Sequence, residues 1–155
     1  MPPSLVFYDT EEEYQQHYET HYCHKIIHTF DKVRVYFPKR TFAHAFYESA
    51  NRRARDKSVF SRMRAERIDW IKIALNDPTA ELYAGWLRDK KQYTHNRRVT
   101  VIYGDYVIVL RWNVKKGSTT FITAYVAQGT TISKIRRSPK WKKPNTGDRN
   151  KKAAG

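Results

Sequence analysis

A chain of 155 residues with 30 Lys and Arg against 15 Asp and Glu carries a formal net charge of +15. The length suits one domain that buries a real core, hiding roughly two-thirds of its unfolded surface, while the surplus charge opposes compaction and implies a polyanionic partner, nucleic acid before an anionic membrane. The residues exclude a spanning helix, which needs roughly 18 consecutive apolar positions, and the lone cysteine, Cys23, excludes an intrachain disulfide. With no charged-then-apolar leader pattern and reduced cysteine usage, the expected location is the cytoplasm, with no membrane partner.

The charge is uneven. Residues 1–31 hold six acidic side chains against Lys25, whereas residues 134–155 hold nine basic side chains and one acidic. Thr10-Glu11-Glu12-Glu13 matches a capping box and predicts a helix into the low twenties. On an unbroken helix His17, His21, His24 and His28 share one face. Histidines four apart can hold zinc, with Cys23 nearby, but no acidic ligand has an obvious place beside them in the sequence. Solvated or stacked histidines among Tyr14, Tyr18 and Tyr22 are the simpler reading, and no cofactor is expected.

Val33 to Phe37 alternates as a strand that Pro38 ends. Thr41 then caps a predicted helix from Phe42 to about Arg53, with Phe42, Ala45, Phe46 and Ala50 on its apolar stripe. His44 and Glu48 lie four apart on one flank. They suit either an acid–base pair, with the imidazole's proton affinity lowered in the first turn, or an ordinary surface contact. After the basic connection Arg52 to Lys57, a second helix is predicted from Ser58 to Asn76, stopped by Asp77-Pro78. Arg64 and Arg67 border its apolar face, with packed stems and guanidiniums aimed at a carboxylate or at a phosphate.

Leu82 to Trp86 reads as a short aromatic strand. Tyr93, His95, Arg97 and Arg98 follow at the start of the next; basic groups among aromatics suit RNA, whose bases stack and whose phosphates need charge, against the alternative of a solvated strand end. Val99 to Tyr103, Tyr106 to Trp112 and Thr119 to Val126, separated by turns at Gly104-Asp105 and Lys115 to Ser118, predict an antiparallel meander. In the last strand Phe121, Thr123 and Tyr125 alternate with Ile122, Ala124 and Val126. The aliphatic set is expected to face the helices, leaving Thr123 and Tyr125 on an open face beside basic groups, against the alternative of a two-sided core in which Tyr125 is structural. Arg136, Arg137 and Lys140 begin a run rich in Lys, Arg, Pro and Gly, expected to be disordered beyond Lys142 and to meet phosphate non-specifically.

The expected fold class is α+β: N-terminal helices on one face of a twisted antiparallel sheet of about four strands, with a basic C-terminal tail. Residues 1–31 read as an acidic helical extension, 32–141 as the α+β domain and 142–155 as the tail. FAHAFYES, RAERIDWI, RRVTVIYGDYVIVL and FITAYVA, in that order, resemble the phage-associated nucleases of the barnase–EndoU–colicin–RelE-like superfamily over roughly residues 33–141. The resemblance implies a toxin-like, metal-independent ribonuclease working on the exposed sheet face, with RNA as substrate and a cognate acidic inhibitor protein as a second partner. It also implies His44 as an acid–base residue, Arg64, Arg67 and Arg98 as phosphate and transition-state contacts, and Thr123 and Tyr125 as hydroxyl contacts. Glutamate-using members have a base in the sheet that is missing here, so Glu48 would serve; in two-histidine members His95 would be the second. The competing readings are a basic module that holds RNA or DNA without cutting it, and an interaction protein that docks a partner through its acidic helix.

Overall fold

In the computed structural model, which describes residues 2–49 and 57–144, Thr10 opens α1 (Glu11–Tyr18) as its capping box predicts. The Glu13 amide donates to Thr10 Oγ1 at 3.3 Å and the Thr10 amide to Glu13 Oε1 at 3.2 Å, so two otherwise orphaned donors are satisfied. The helix then widens over Glu19–Cys23, where the His24 amide reaches back five residues to the Glu19 carbonyl at 3.0 Å. That change of period breaks the expected histidine face, and His28 falls in β1 (Ile27–His28).

Six strands build one sheet rather than the four expected. β5 (Glu81–Leu87), β6 (Gln92–Ile102), β7 (Tyr106–Asn113) and β8 (Ser118–Val126) form the antiparallel meander. β1 and β2 (Arg34–Tyr36) extend it in the order β1-β2-β8-β7-β6-β5. β2 lies parallel to β8 through Val35 with Thr119 and Tyr36 with Thr120, so the sheet is mixed. Tyr103 and Gly104 take φ of 56° and 85° in the turn between β6 and β7, the left-handed geometry a tight hairpin needs.

Two predicted helices are shorter than their apolar spacing suggested. α2 (Phe42–Ala45) ends where the Phe46 amide caps on the Phe42 carbonyl and the Phe46 carbonyl accepts from the Ser61 amide at 2.8 Å. The chain instead forms β3 (Tyr47–Glu48), paired with β4 (Val59–Phe60) in a separate ribbon. The rest of the predicted helix, residues 50–53, lies outside the described residues. Ser61 caps α3 (Arg62–Glu66), and α4 (Ile68–Leu75) begins after a break at Arg67, φ −97°. At the break the Arg67 carbonyl accepts the Trp70 amide at 2.9 Å and the Tyr106 hydroxyl at 3.3 Å.

α1 to α4 bury one sheet face, as the α+β reading requires. Tyr14, Tyr18 and Tyr22, from the segment read as an extension, share this core with Phe42, Phe46, Ile68 and Ile71 and with Tyr106, Ile108, Leu110, Phe121 and Ala124 of the sheet. A bulge in β8 corrects the expected alternation. Val109 pairs with Thr123 but Leu110 with Phe121, leaving Ile122 as the extra residue, so Phe121 joins Ala124 on the helix face while Thr123 and Tyr125 remain opposite.

That opposite face is not open along its whole length. α5 (Gly129–Arg136) lays Ile132 and Ile135 against Tyr83, Val99, Val101 and Val107. The chain then runs along β5. The Ala84 amide donates to the Pro139 carbonyl at 2.9 Å and the Trp141 amide to the Leu82 carbonyl at 3.1 Å, which covers an edge that would otherwise present unpaired backbone. The tail beyond residue 144 lies outside the described residues.

The β5–β6 register jumps between Ala84 with Arg98 and Gly85 with Thr94, pushing His95, Asn96 and Arg97 out of the ladder. A Cβ at Gly85 would stand 2.6 Å from Arg97 Cβ. Gly85→Ala is therefore expected to cost about 1–3 kcal/mol as the two strands are forced apart. Thermal melting checks this, and an unchanged midpoint would show that the close approach is not constrained.

Candidate active site and basic groove

α2 stops early and β3 turns back toward α3, so His44, Glu48, Lys57 and Arg64 converge beside the edge of β8. Arg64 Nε stands 3.5 Å from Glu48 Oε1, and its Nη1 donates to the carbonyls of Ala45 at 3.2 Å and Tyr47 at 3.4 Å. Lys57 Nζ donates to the same Tyr47 carbonyl at 3.5 Å. The Arg64 guanidinium lies 5.8 Å from the centre of the Tyr125 ring. Lys57 holds a left-handed backbone, φ 54°, a conformation unusual for a residue with a Cβ and often tolerated at functional positions.

The charges in this cluster are poorly balanced: three basic side chains face one carboxylate, Glu48, which is itself half exposed. Partial burial lowers the proton affinity of His44, and the Lys57 and Arg64 charges lower it further. Burial likewise lowers that of Lys57, aided by Arg64 and opposed by Glu48. Burial raises the Tyr125 phenol, with Arg64 pulling the other way. The helix dipole invoked for His44 is not the cause, because α2 has only four residues; neighbouring cations and desolvation are.

The other residues expected at the site are distributed differently. Arg98 is 1 % exposed on the helix face. Its Nη1 donates to both Asp31 oxygens, at 2.9 and 3.0 Å, between the rings of Phe30 and Trp141; the sheet separates it from Tyr125, which corrects its expected place beside the other site residues. Arg67 donates to the Met63 carbonyl at 2.8 Å and lies over Trp70, away from His44. Thr123 shares the face of Tyr125, but its Oγ1 is buried without a hydrogen-bond partner among the described residues, so it is not a hydroxyl held out to solvent.

A groove of about 880 Å³ runs over the α5 side of the sheet, with Tyr125 in its wall. Tyr93, Arg97 and Arg137, three of the expected nucleic-acid contacts, line it. The other three are engaged nearby. Arg136 pairs with Glu81 at 3.0 Å and Lys140 donates to the Tyr83 hydroxyl at 3.3 Å. His95 Nδ1 accepts the Lys142 amide at 3.0 Å, while the His95 carbonyl accepts Trp141 Nε1 at 2.8 Å. His95 thus anchors the C-terminal segment and is not placed beside His44.

The histidines of the amino-terminal segment are used internally. His17 contacts the Tyr8 hydroxyl through Nδ1 and Asp69 Oδ1 through Nε2, both at 2.8 Å, and the His21 ring lies tilted against His17 with centres 4.4 Å apart. Among the described residues no three His, Cys, Asp or Glu are grouped to hold a metal ion, and His24 adds no third ligand. No helix of the described residues is long and apolar enough to cross a membrane.

Lys57 and Trp86, which also lines the groove, were not singled out by sequence reasoning. Lys57 was one cation in a basic connection, and nothing in the spacing foretold its fold back onto Tyr47. Comparison of the chain with protein-family models, with curated proteins and with solved structures finds no match.

Proposed function

We propose that this chain is a metal-independent endoribonuclease of the barnase–EndoU–colicin–RelE-like kind, with its centre at His44, Lys57, Arg64 and Tyr125. The convergence of three basic side chains against the single carboxylate of Glu48 carries the reading. With His44 neutral, the Lys57 and Arg64 cations still outnumber the one carboxylate, and a phosphodiester would supply the missing anion.

RNA brings its own nucleophile. His44, held neutral near pH 7 by its surroundings, accepts the 2′-OH proton as the 2′-oxygen attacks phosphorus. The P–O5′ bond breaks, and Lys57, whose lowered proton affinity makes it a better donor than an ordinary lysine, protonates the departing 5′-oxygen. Arg64 and the Tyr125 hydroxyl stabilise the charge that grows on the phosphorane oxygens. Glu48 keeps Arg64 in place. The products are a 2′,3′-cyclic phosphate and a 5′-hydroxyl, and DNA, lacking the 2′-OH, is not cut.

The test is incubation with RNA in excess chelator, followed by analysis of the fragment ends. Cleavage with cyclic ends is expected, reduced about 10²–10⁴-fold in His44→Ala. Cleavage that disappears in chelator and returns with magnesium, or a His44→Ala variant as fast as the parent, would overturn the proposal. A chain that binds RNA and leaves it intact is the basic binding module instead.

A further inference from the structure

The groove on the α5 side has a lining that the cleavage chemistry does not require. Arg88, Arg97, Lys134 and Arg137 stand along it with no carboxylate among its described lining residues. At one end Trp86 and Tyr93, cross-strand partners in the β5–β6 hairpin, meet edge to face with ring centres 4.9 Å apart. They are 52 % and 42 % exposed, so both present ring surface to solvent at the groove, and Trp and Tyr are enriched where a partner binds. Tyr125 belongs both to this groove and to the Arg64 cluster.

We infer that the groove is a track for unpaired polynucleotide, in which flanking bases of the substrate stack on Trp86 and Tyr93 while Arg97, Lys134 and Arg137 follow the phosphates. The inference rests on the nuclease reading for its direction, since Tyr125 joins the track to the proposed centre, and it adds the substrate class: single-stranded RNA. The chemistry favours an unpaired strand because the faces of duplex bases are already covered by their neighbours, so a ring cannot stack on them without unstacking the helix. A cationic groove with aromatic platforms also binds without reading sequence, because every base presents a π face. The volume, about 880 Å³, is that of a ligand cleft, about 300–1,000 Å³, and fits a short run of nucleotides.

The residues allow a direct assay. Of the four tryptophans, Trp70, Trp112 and Trp141 are buried and Trp86 is exposed, so a solvent-accessible emission component reports the groove. The full chain is titrated with a 2′-O-methyl oligoribonucleotide, which lacks the attacking hydroxyl and is not cleaved. The same strand annealed to its complement, and heparin, which has charge without bases, are titrated alongside. The unpaired strand is expected to quench Trp86 and to bind at least about tenfold tighter than either control. Read by anisotropy of an end-labelled strand, which does not depend on Trp86 emission, Trp86→Ala and Tyr93→Ala are each expected to weaken it by about tenfold, and Arg137→Ala to reduce the salt slope by about one.

Equal binding of the duplex or heparin, or no effect of either aromatic substitution, overturns the track. The two readings fail separately. Tight binding of the unpaired strand by a chain that leaves natural RNA uncut removes the nuclease and keeps the track. RNA cleavage by a chain whose Trp86 emission ignores the oligonucleotide removes the track and keeps the nuclease.

Discussion

Arg64→Ala is expected to slow RNA cleavage by about 10²–10³-fold, the effect of deleting one preorganised donor at a developing oxyanion. The guanidinium is mostly shielded from solvent and is fixed by Glu48 and by the carbonyls of Ala45 and Tyr47. On the proposed mechanism it therefore needs no reorganisation as charge develops on phosphorus. Arg64→Lys retains charge but cannot serve Glu48, two carbonyls and a phosphate together, so it is expected to recover only a small part of the rate. A second readout separates chemistry from structure. Arg64 helps to lower the proton affinity of His44, so its removal raises the histidine pKa towards the ordinary value of about 6.5. The acid limb of kcat/KM, which in the parent lies below that value, moves up in pH. A rate and an acid limb both unchanged in Arg64→Ala would remove this residue from the centre.

The sheet was legible in the sequence where short-range rules decide it. The Thr10 capping box and the β-branched runs from Val99 to Val126 each carry their structure within a few residues, and α1 and the meander formed where they read. What failed depended on distant partners. The stripe Phe42, Ala45, Phe46 and Ala50 satisfies helical spacing, yet Phe46 is held by Phe42 on one side and by the Ser61 amide on the other, which redirects the chain into β3. Ile122 is an ordinary strand residue in sequence, and only the pairing of Leu110 with Phe121 turns it into a bulge.

The site divided in the same way. His44, Arg64 and Tyr125 lie near one another because α2 and α3 both pack on β8. Lys57 joined them through a left-handed backbone that no spacing signals. Arg98 misled because alternation along β6 gives its face correctly only once the helices are known to cover that face. Its neighbour Arg97 lines the opposite groove. Adjacent arginines in a strand are divided between the interior and the groove by the pleat, and composition cannot tell which is which.

Asp31→Asn is expected to be among the most destabilising single changes in the chain, costing about 3 kcal/mol or more. The reason is the arginine it abandons. Arg98 is fully enclosed by Phe30, Trp141 and the sheet, and its Nε and Nη2 are buried without hydrogen-bond partners among the described residues. Asp31 therefore supplies its counter-charge through Nη1 alone. For the Asp31 carboxyl itself, burial works upward, but the Thr29 hydroxyl and Arg98 outweigh it and hold the pKa below the ordinary range. A depressed folded value means that the stabilisation is complete above the unfolded pKa, about 3.9, and is lost as pH falls through the folded one. Melting curves at neutral pH should place Asp31→Asn on the order of 10 °C below the parent, with the gap closing only in strong acid. Replacing the whole pair, Asp31→Asn with Arg98→Met, should recover most of the loss, because an apolar side chain of similar length leaves no charge stranded. Equal melting of Asp31→Asn and the parent at neutral pH would mean that Arg98 finds its compensation elsewhere, reopening a functional role for it.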